Sequence, residues 1–230
     1  MKFKSALVTQ ISGSIGGMTG SHNRGGMYFR ARATPVNPNT VPQQAVRGFF
    51  AQLANLWVNV LTPGQRAAWD LYALNVLLPD PLGEPRNAGG LGMYIRSNIP
   101  RLQVGLPRVD TAPAIFDLGD FTPPTVGILS AGAGTISVAF NILDAWVGED
   151  DASMLMYVSR PANPSINYFK GPYRISDQIA GDLALPPASP QVLSLTFPYV
   201  LDQRAFFRFN VTRADGRYGS EVRFTQIAAA

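Results

Sequence analysis

The chain has no cysteine and a single histidine, His22. The first absence excludes disulfides, thiolate-ligated zinc and thiol catalysis, and it suits a protein made and assembled without oxidative help. The second leaves general acid–base chemistry without its usual residue. His22 lies in Gly20-Ser21-His22-Asn23-Arg24-Gly25, where no neighbouring acid can orient it. Acidic residues are missing from the first 69 positions, which carry seven Lys or Arg. Nowhere does an apolar run reach the roughly 18 residues that a membrane helix requires. The opening stretch Met1 to Val8 is positively charged, but Thr9 and Gln10 interrupt it before a signal-peptide core is complete. A soluble, cytoplasmically made protein with no membrane partner is expected.

What is present bounds the fold. At 230 residues and 46% hydrophobic content the chain can bury a core of useful size in one or two domains. Its 22 Gly and 19 Pro announce many turns and extended connections. Charge is segregated: residues 1–110 hold 11 basic against 4 acidic side chains, and residues 111–230 hold 8 against 11. Such polarity permits head-to-tail attraction between copies, or attraction of the basic half to nucleic acid or acidic protein.

Three regions follow one another. In residues 1–39, short β-capable runs at 5–11 and 26–33 flank a glycine-punctuated stretch, and Pro35 and Pro38 keep the exit extended. This is a basic, hairpin-like or extended arm. Residues 40–110 are helical. Thr40-Val41-Pro42-Gln43 and Thr62-Pro63-Gly64-Gln65 each combine a capping hydroxyl, an early proline and a Gln three residues on. Val46, Phe49, Phe50, Leu53, Leu56, Trp57 and Val60, then Ala68, Trp69, Leu71, Tyr72 and Leu74, recur at helical spacing. Two helices should form a hairpin, joined by a third short helix over Met93–Asn98 that Pro100 limits. Residues 111–122 read as a linker.

From residue 123 to 230 the pattern alternates. Ile136, Val138 and Phe140 share a face, as do Leu193, Leu195 and Phe197, then Ala205, Phe207, Phe209 and Val211, then Val222 and Phe224. Runs at 125–130, 153–159 and 167–176 bring the count to about seven strands, and Asp215-Gly216 signals a hairpin between the last two. The expected class is α+β, ending in an antiparallel β-sandwich of immunoglobulin or fibronectin type III kind.

Candidate chemical sites each meet a plain structural alternative. Gly13-Ser14-Ile15-Gly16-Gly17 lacks the Lys-Ser or Lys-Thr of a phosphate loop and reads as a turn. Glu149-Asp150-Asp151 has too few spaced oxygens for a dedicated calcium site and reads as a solvated loop. Trp57 and Trp69 sit on the apolar helical stripe and read as core rather than as stacking platforms. Arg24, Arg30 and Arg32, interleaved with Tyr28 and Phe29, suit a phosphate-and-stacking surface, but equally a strand that adds itself to a neighbouring subunit. Subunit docking is the preferred reading of these five residues. Neither a cofactor nor a metal is expected.

The pattern Gly25-Gly26-Met27-Tyr28-Phe29-Arg30, Asn37-Pro38-Asn39-Thr40, Gln43-Gln44, Arg47, Phe50, Trp57, Leu61-Thr62-Pro63, Gln65-Arg66, Trp69 and Gly92-Met93-Tyr94-Ile95-Arg96-Ser97-Asn98 resembles an uncharacterised family of proteins of tailed bacteriophages and prophages. The final hairpin, Phe206 to Val222, resembles the closing strands of fibronectin type III domains. The first resemblance covers residues 11–105 and implies a virion structural protein, made in the bacterial host cytoplasm. Its partners would be capsid, head or tail subunits and further copies of itself. The expected function is therefore non-enzymatic: a capsid decoration or cement protein, or a head or tail surface component. The alternatives are a nucleic-acid-binding phage protein, and a carbohydrate-binding or host-adhesion module using sandwich loops near Trp146 and Tyr168.

Overall fold

A computed structural model describes residues 2–3, 12–23, 26–79 and 84–229. The chain divides into two compact units, Met1–Gln43 and Gln44–Ala230. The first contains β1 (Lys2–Phe3), β2 (Gly13–Ile15), β3 (Met18–Asn23) and β4 (Gly26–Ala31), hydrogen-bonded in the order β1-β4-β3-β2, with every pair antiparallel. Of the stretch Gly13-Ser14-Ile15-Gly16-Gly17 read as a turn, only Gly16-Gly17 turns, while Gly13–Ile15 pairs as a strand with β3. Gly16, at φ 56, takes the left-handed conformation that a tight hairpin needs. The strand expected over 5–11 lies outside the described residues, and that expected over 26–33 forms as β4.

In the second unit, α1 (Val41–Asn59) and α2 (Pro63–Asn75) begin where the sequence places them. The Thr62 box is complete: the Gln65 N–H donates to Thr62 Oγ1 at 3.2 Å, and the Thr62 N–H donates to Gln65 Oε1 at 2.9 Å. At the start of α1 the Thr40 N–H donates to Gln43 Oε1 at 3.1 Å. A two-residue ladder, β5 (Leu78–Pro79) with β6 (Pro85–Arg86), leads to α3 (Gly90–Gln103). The expectation that Pro100 limits α3 needs correction, because the helix runs on to Gln103. Proline removes one backbone donor, but tertiary bonds to Arg101, one residue further on, hold the last turn in place. Gly90 is required for a different reason. A Cβ there would lie 2.3 Å from Asp70 Oδ1 and 2.8 Å from the Asp70 backbone nitrogen, so only glycine lets α3 begin this close to α2.

The helices bury Leu53, Leu61, Trp69, Tyr72, Met93 and Tyr94 in one cluster. Trp69 meets Tyr72 and Tyr94 edge-on, with ring centroids 5.9 and 5.6 Å apart. The irregular segment that follows α3 is stitched to them through side chains. Trp69 Nε1 donates to Asp110 O at 3.0 Å and the Tyr72 hydroxyl to Asp117 O at 2.6 Å. The Val109 N–H donates to Asn98 Oδ1 at 2.7 Å.

The remaining strands are β7 (Thr125–Ser130), β8 (Thr135–Ala139), β9 (Ser153–Ser159), β10 (Tyr173–Ala180), β11 (Gln191–Ser194), β12 (Arg204–Thr212) and β13 (Val222–Ala229). They form one seven-stranded sheet in the order β10-β9-β12-β13-β7-β8-β11. The expectation of a wholly antiparallel sandwich is met only at the level of α+β class. The sheet is mixed, because Ala228 and Ala229 of β13 pair in parallel with Leu129 and Ser130 of β7. Its outermost strands also approach one another. A bulge in β10 between Ile175 and Asp177 accompanies bonds from Ser176 Oγ to Ser194 O (2.8 Å) and from the Ser194 N–H to Asp177 Oδ2 (2.7 Å). The sheet is nearly closed on itself through these side-chain bonds. Strand β10 starts at Tyr173, later than the expected 167–176, because Gly171-Pro172 interrupts the run. The Asp215-Gly216 turn forms as read, with Gly216 at φ 92 and its N–H donating to Arg213 O at 3.0 Å. Among the described residues no helix is long and apolar enough to cross a membrane.

Arg101 ties the helices to the sheet. Only 1% exposed, it donates to Pro107 O (2.7 Å), Asp151 O (3.1 Å), Thr212 Oγ1 (3.3 Å) and Arg213 O (2.7 Å). Arg101→Met should lower unfolding free energy by roughly 3 kcal/mol, since several buried acceptors lose their donor at once. Urea denaturation is expected to show a reduced midpoint with unchanged slope; an unshifted midpoint would remove Arg101 from this role. Alkali offers a second check. Burial pushes the phenols of Tyr72 and Tyr199 up to about 12 from 10.0. A raised pKa favours the neutral form in the fold, so this stabilisation is complete below pH 10 and is lost as pH rises towards 12. Phenolate absorbance should therefore show these tyrosines ionising together with alkaline unfolding above pH 10.

Candidate functional site

Of the five docking candidates, Tyr28, Phe29 and Arg30 fall on β4 and Arg32 follows it. Arg24 lies outside the described residues. Across the β3–β4 ladder Thr19 opposes Arg30 and Ser21 opposes Tyr28, while across β2–β3 Ser14 opposes Thr19 with hydroxyls 2.8 Å apart. Because strand residues alternate, Ser14, Thr19, Ser21, Tyr28 and Arg30 share one face. Ile15, Met18, Gly20, Met27 and Phe29 share the other, together with His22. The interleaved pattern therefore separates: Tyr28 stands beside Arg30, and Phe29 belongs to the apolar side. Arg32 follows the strand, exposed, its backbone N–H donating to Gly17 O at 2.8 Å.

The apolar face has little to cover it. Ile15 is 88% exposed and Met18 49%. Of the residues of Met1–Gln43 whose burial is described, Gly20 alone is buried, and the three buried apolar clusters draw on none of them. Exposed aliphatic side chains on one face of a sheet gain burial only when something covers that face. Alternation in β3 and β4 was the sequence signal for this face; the notice taken of arginines and aromatics passed over Ile15, Met18 and Met27.

A second uncovered surface lies on α1. Its apolar stripe seats Leu53 fully and Leu56 and Trp57 partly against the helical core, with the Trp57 ring 5.7 Å from that of Tyr94. The same stripe continues through Phe50, which is 52% exposed, and Val46. Phe50, Trp57, Leu91 and Ile95 line an open cleft of about 550 Å³ between α1 and the start of α3. At its edge the Asp70 carboxylate accepts the Gly90 N–H at 3.0 Å, capping α3 where Gly89 supplies no side chain. The cleft thus offers largely apolar walls, which suit an apolar side chain or a helix.

The other sequence candidates have structural places. His22 is exposed on the N-terminal sheet. Trp69 is core. Of the two aromatics beside the loops of the adhesion alternative, Trp146 is 1% exposed with its ring 5.3 Å from that of Phe140, and Tyr168, 62% exposed, faces solvent. Glu149 pairs with Arg213, whose guanidinium holds the carboxyl below its ordinary pKa. Asp117 is likewise lowered, first by its bond to Arg217 (2.7 Å) and then by the Gly119 N–H. These pairs join loops of the second unit across long sequence separations, and nothing local in the sequence marks them. Among the described residues no group of three or more His, Asp or Glu is placed to hold a metal ion.

No family model matches the chain, and no curated protein matches it.

Trp57 gives these surfaces a readout. Trp69 and Trp146 are 0% and 1% exposed, so collisional quenching by acrylamide should act almost entirely on Trp57, and Trp57→Phe should flatten the quenching plot. Unchanged quenching in that variant would mean that a buried indole is more accessible than its packing allows.

Proposed function

We propose that this protein is a non-enzymatic structural component of a tailed-bacteriophage particle, a capsid decoration or cement protein or a head or tail surface component. It docks through the N-terminal sheet and the uncovered part of α1. One observation carries the docking reading: Met1–Gln43 contains an amphipathic four-stranded sheet in which, among the residues whose burial is described, Gly20 alone is buried and Ile15 and Met18 are exposed, so its apolar face suits an external partner. The particle context is supported by the resemblance over residues 11–105. Many copies docking together would convert modest individual contacts into lasting attachment.

The proposal includes a fibronectin type III-like reading of the sheet. In support, β10-β9-β12-β13 and β7-β8-β11 are antiparallel runs of four and three strands, whose one backbone pairing is the short parallel contact between β13 and β7, while side chains of β10 bridge to the β11 side. Residues of both runs, among them Met154, Phe207 and Phe209 from one and Leu129, Ile136 and Val138 from the other, share a single core.

Deleting residues 1–39 should leave the thermal midpoint of the second unit unchanged and abolish incorporation into particles lacking the native protein, scored by mass spectrometry of purified particles. Equal incorporation of the shortened chain would overturn the docking assignment. A second reading, nucleic-acid binding, draws on Tyr28 and Arg30 sharing a face. It predicts DNA affinity that falls steeply with salt and a slope that shrinks in Arg30→Ala/Arg32→Ala. Tight binding at physiological salt that vanishes in this variant would replace the docking reading.

A further inference from the structure

Strands β9 and β10 pair as far as Ser159 and Tyr173 and then part. The chain that joins them, residues 160–172, begins Arg160-Pro161-Ala162 and ends Lys170-Gly171-Pro172. Pro161 and Pro172 have no N–H with which to continue the ladder, so the two stretches separate. Between them lies a cavity of about 240 Å³, lined by these six residues. Its first wall is held in place: the Ala162 N–H donates to Arg204 O and the Arg204 N–H to Ala162 O, both at 2.9 Å. The strand end beside it is held as well, since Ser159 O accepts the Tyr199 hydroxyl and Ser159 Oγ accepts the Phe206 N–H at 3.1 Å. Pockets for drug-sized molecules run from roughly 300 Å³ upwards. This one takes a smaller group.

Charge selects the group. Residues 152–176 contain Arg160, Lys170 and Arg174 and no Asp or Glu. Arg160 belongs to one wall and Lys170 to the other, and both are exposed. Among the described residues, neither side chain has an ion pair, a hydrogen bond or an aromatic ring against it. Neighbouring cations are committed: Arg208 and Arg223 share Glu221, and the Arg174 guanidinium lies 5.5 Å over the Phe197 ring. Two like charges lining one small cavity repel each other, and an anion set between them turns the repulsion into two attractions. In the second wall the backbone N–H groups of Lys170 and Gly171 meet no acceptor among the described residues, so neutral donors stand beside the cations.

We propose that this cavity binds a small oxyanion, the phosphate, sulfate or carboxylate group of a small molecule, with Arg160 and Lys170 as its two charge partners. The guanidinium presents donors to two oxygens side by side, and the ammonium acts as a point charge on a flexible stem. Pro161, Ala162 and Pro172 supply the apolar remainder of the lining. The site stands apart from the docking reading, because it uses only the connection between β9 and β10 and no residue of the N-terminal sheet or of α1.

Amide chemical-shift titration of the isotope-labelled full chain tests this, with inorganic phosphate, sulfate, glucose 6-phosphate and glucuronate as probes and ionic strength held constant with chloride. At least one probe is expected to give saturating shifts at Lys170 and Gly171, and the tightest of them tells a phosphoryl, sulfate or carboxylate ligand apart. Arg160→Gln and Lys170→Gln should each weaken that binding about tenfold. Both side chains are exposed, so the variants should keep the thermal midpoint of the parent chain. R30Q/R32Q removes as much charge as R160Q/K170Q, but from the N-terminal sheet, and should leave the binding unchanged. Shifts that rise linearly with every probe overturn the inference, as does saturation that persists in R160Q/K170Q. Equal weakening in R30Q/R32Q and R160Q/K170Q overturns it too, since net charge rather than the cavity would then attract the anion.

Discussion

Arg101 is a cation held out of water by dipoles rather than by a facing carboxylate, and the second unit is organised around it. From the last turn of α3 it reaches Pro107 O in the following segment, Asp151 O before β9, and Thr212 Oγ1 and Arg213 O at the end of β12. Burial pushes its pKa down, with Asp151 and Asp215 countering at longer range. A guanidinium remains charged under such pressure because its ordinary value is so high. The consequence is geometric. A planar fork with several donors can be satisfied only when helix, following segment and two loops arrive together, so the interaction selects one arrangement of helices against sheet. Arg96, donating to Tyr218 O at 2.7 Å, repeats the device, whereas Arg217 joins the carboxylates of Asp117 and Asp215. These arginines account for the helical and β parts forming one compact unit despite the irregular chain between them.

Legibility followed the range of each interaction. The Thr62 box, the apolar stripes of α1 and α2, strands β7 and β9 and the Asp215-Gly216 turn depend on residues a few positions apart, and their signals stand in the sequence. What escaped depends on distant partners. The continuation of α3 past Pro100 is held by Arg101, whose acceptors lie up to 112 residues away. The near closure of the sheet depends on a bulge at Ser176 meeting Ser194 and Thr196. Segment 105–119 has neither helical nor strand periodicity because Trp69, Tyr72 and Asn98 supply its hydrogen bonds in place of a ladder. At the docking surface the sequence marked β4 through its arginines and aromatics. The two-sided character of the sheet emerged only from the β3–β4 register, which puts Tyr28 and Phe29 on opposite faces.

The two units differ in where their polar groups go. In the second, buried polar atoms are largely committed internally: Asn98 bridges Tyr94 O and Val109 O, and Asn210 donates to Gly219 O. In the first, Ser14, Thr19, Ser21, Tyr28 and Arg30 line one face and mostly apolar side chains the other, and among the residues whose burial is described only Gly20 is buried. On the docking reading proposed above, its stability is coupled to association, and the ordering cost of the sheet is met at the moment of docking.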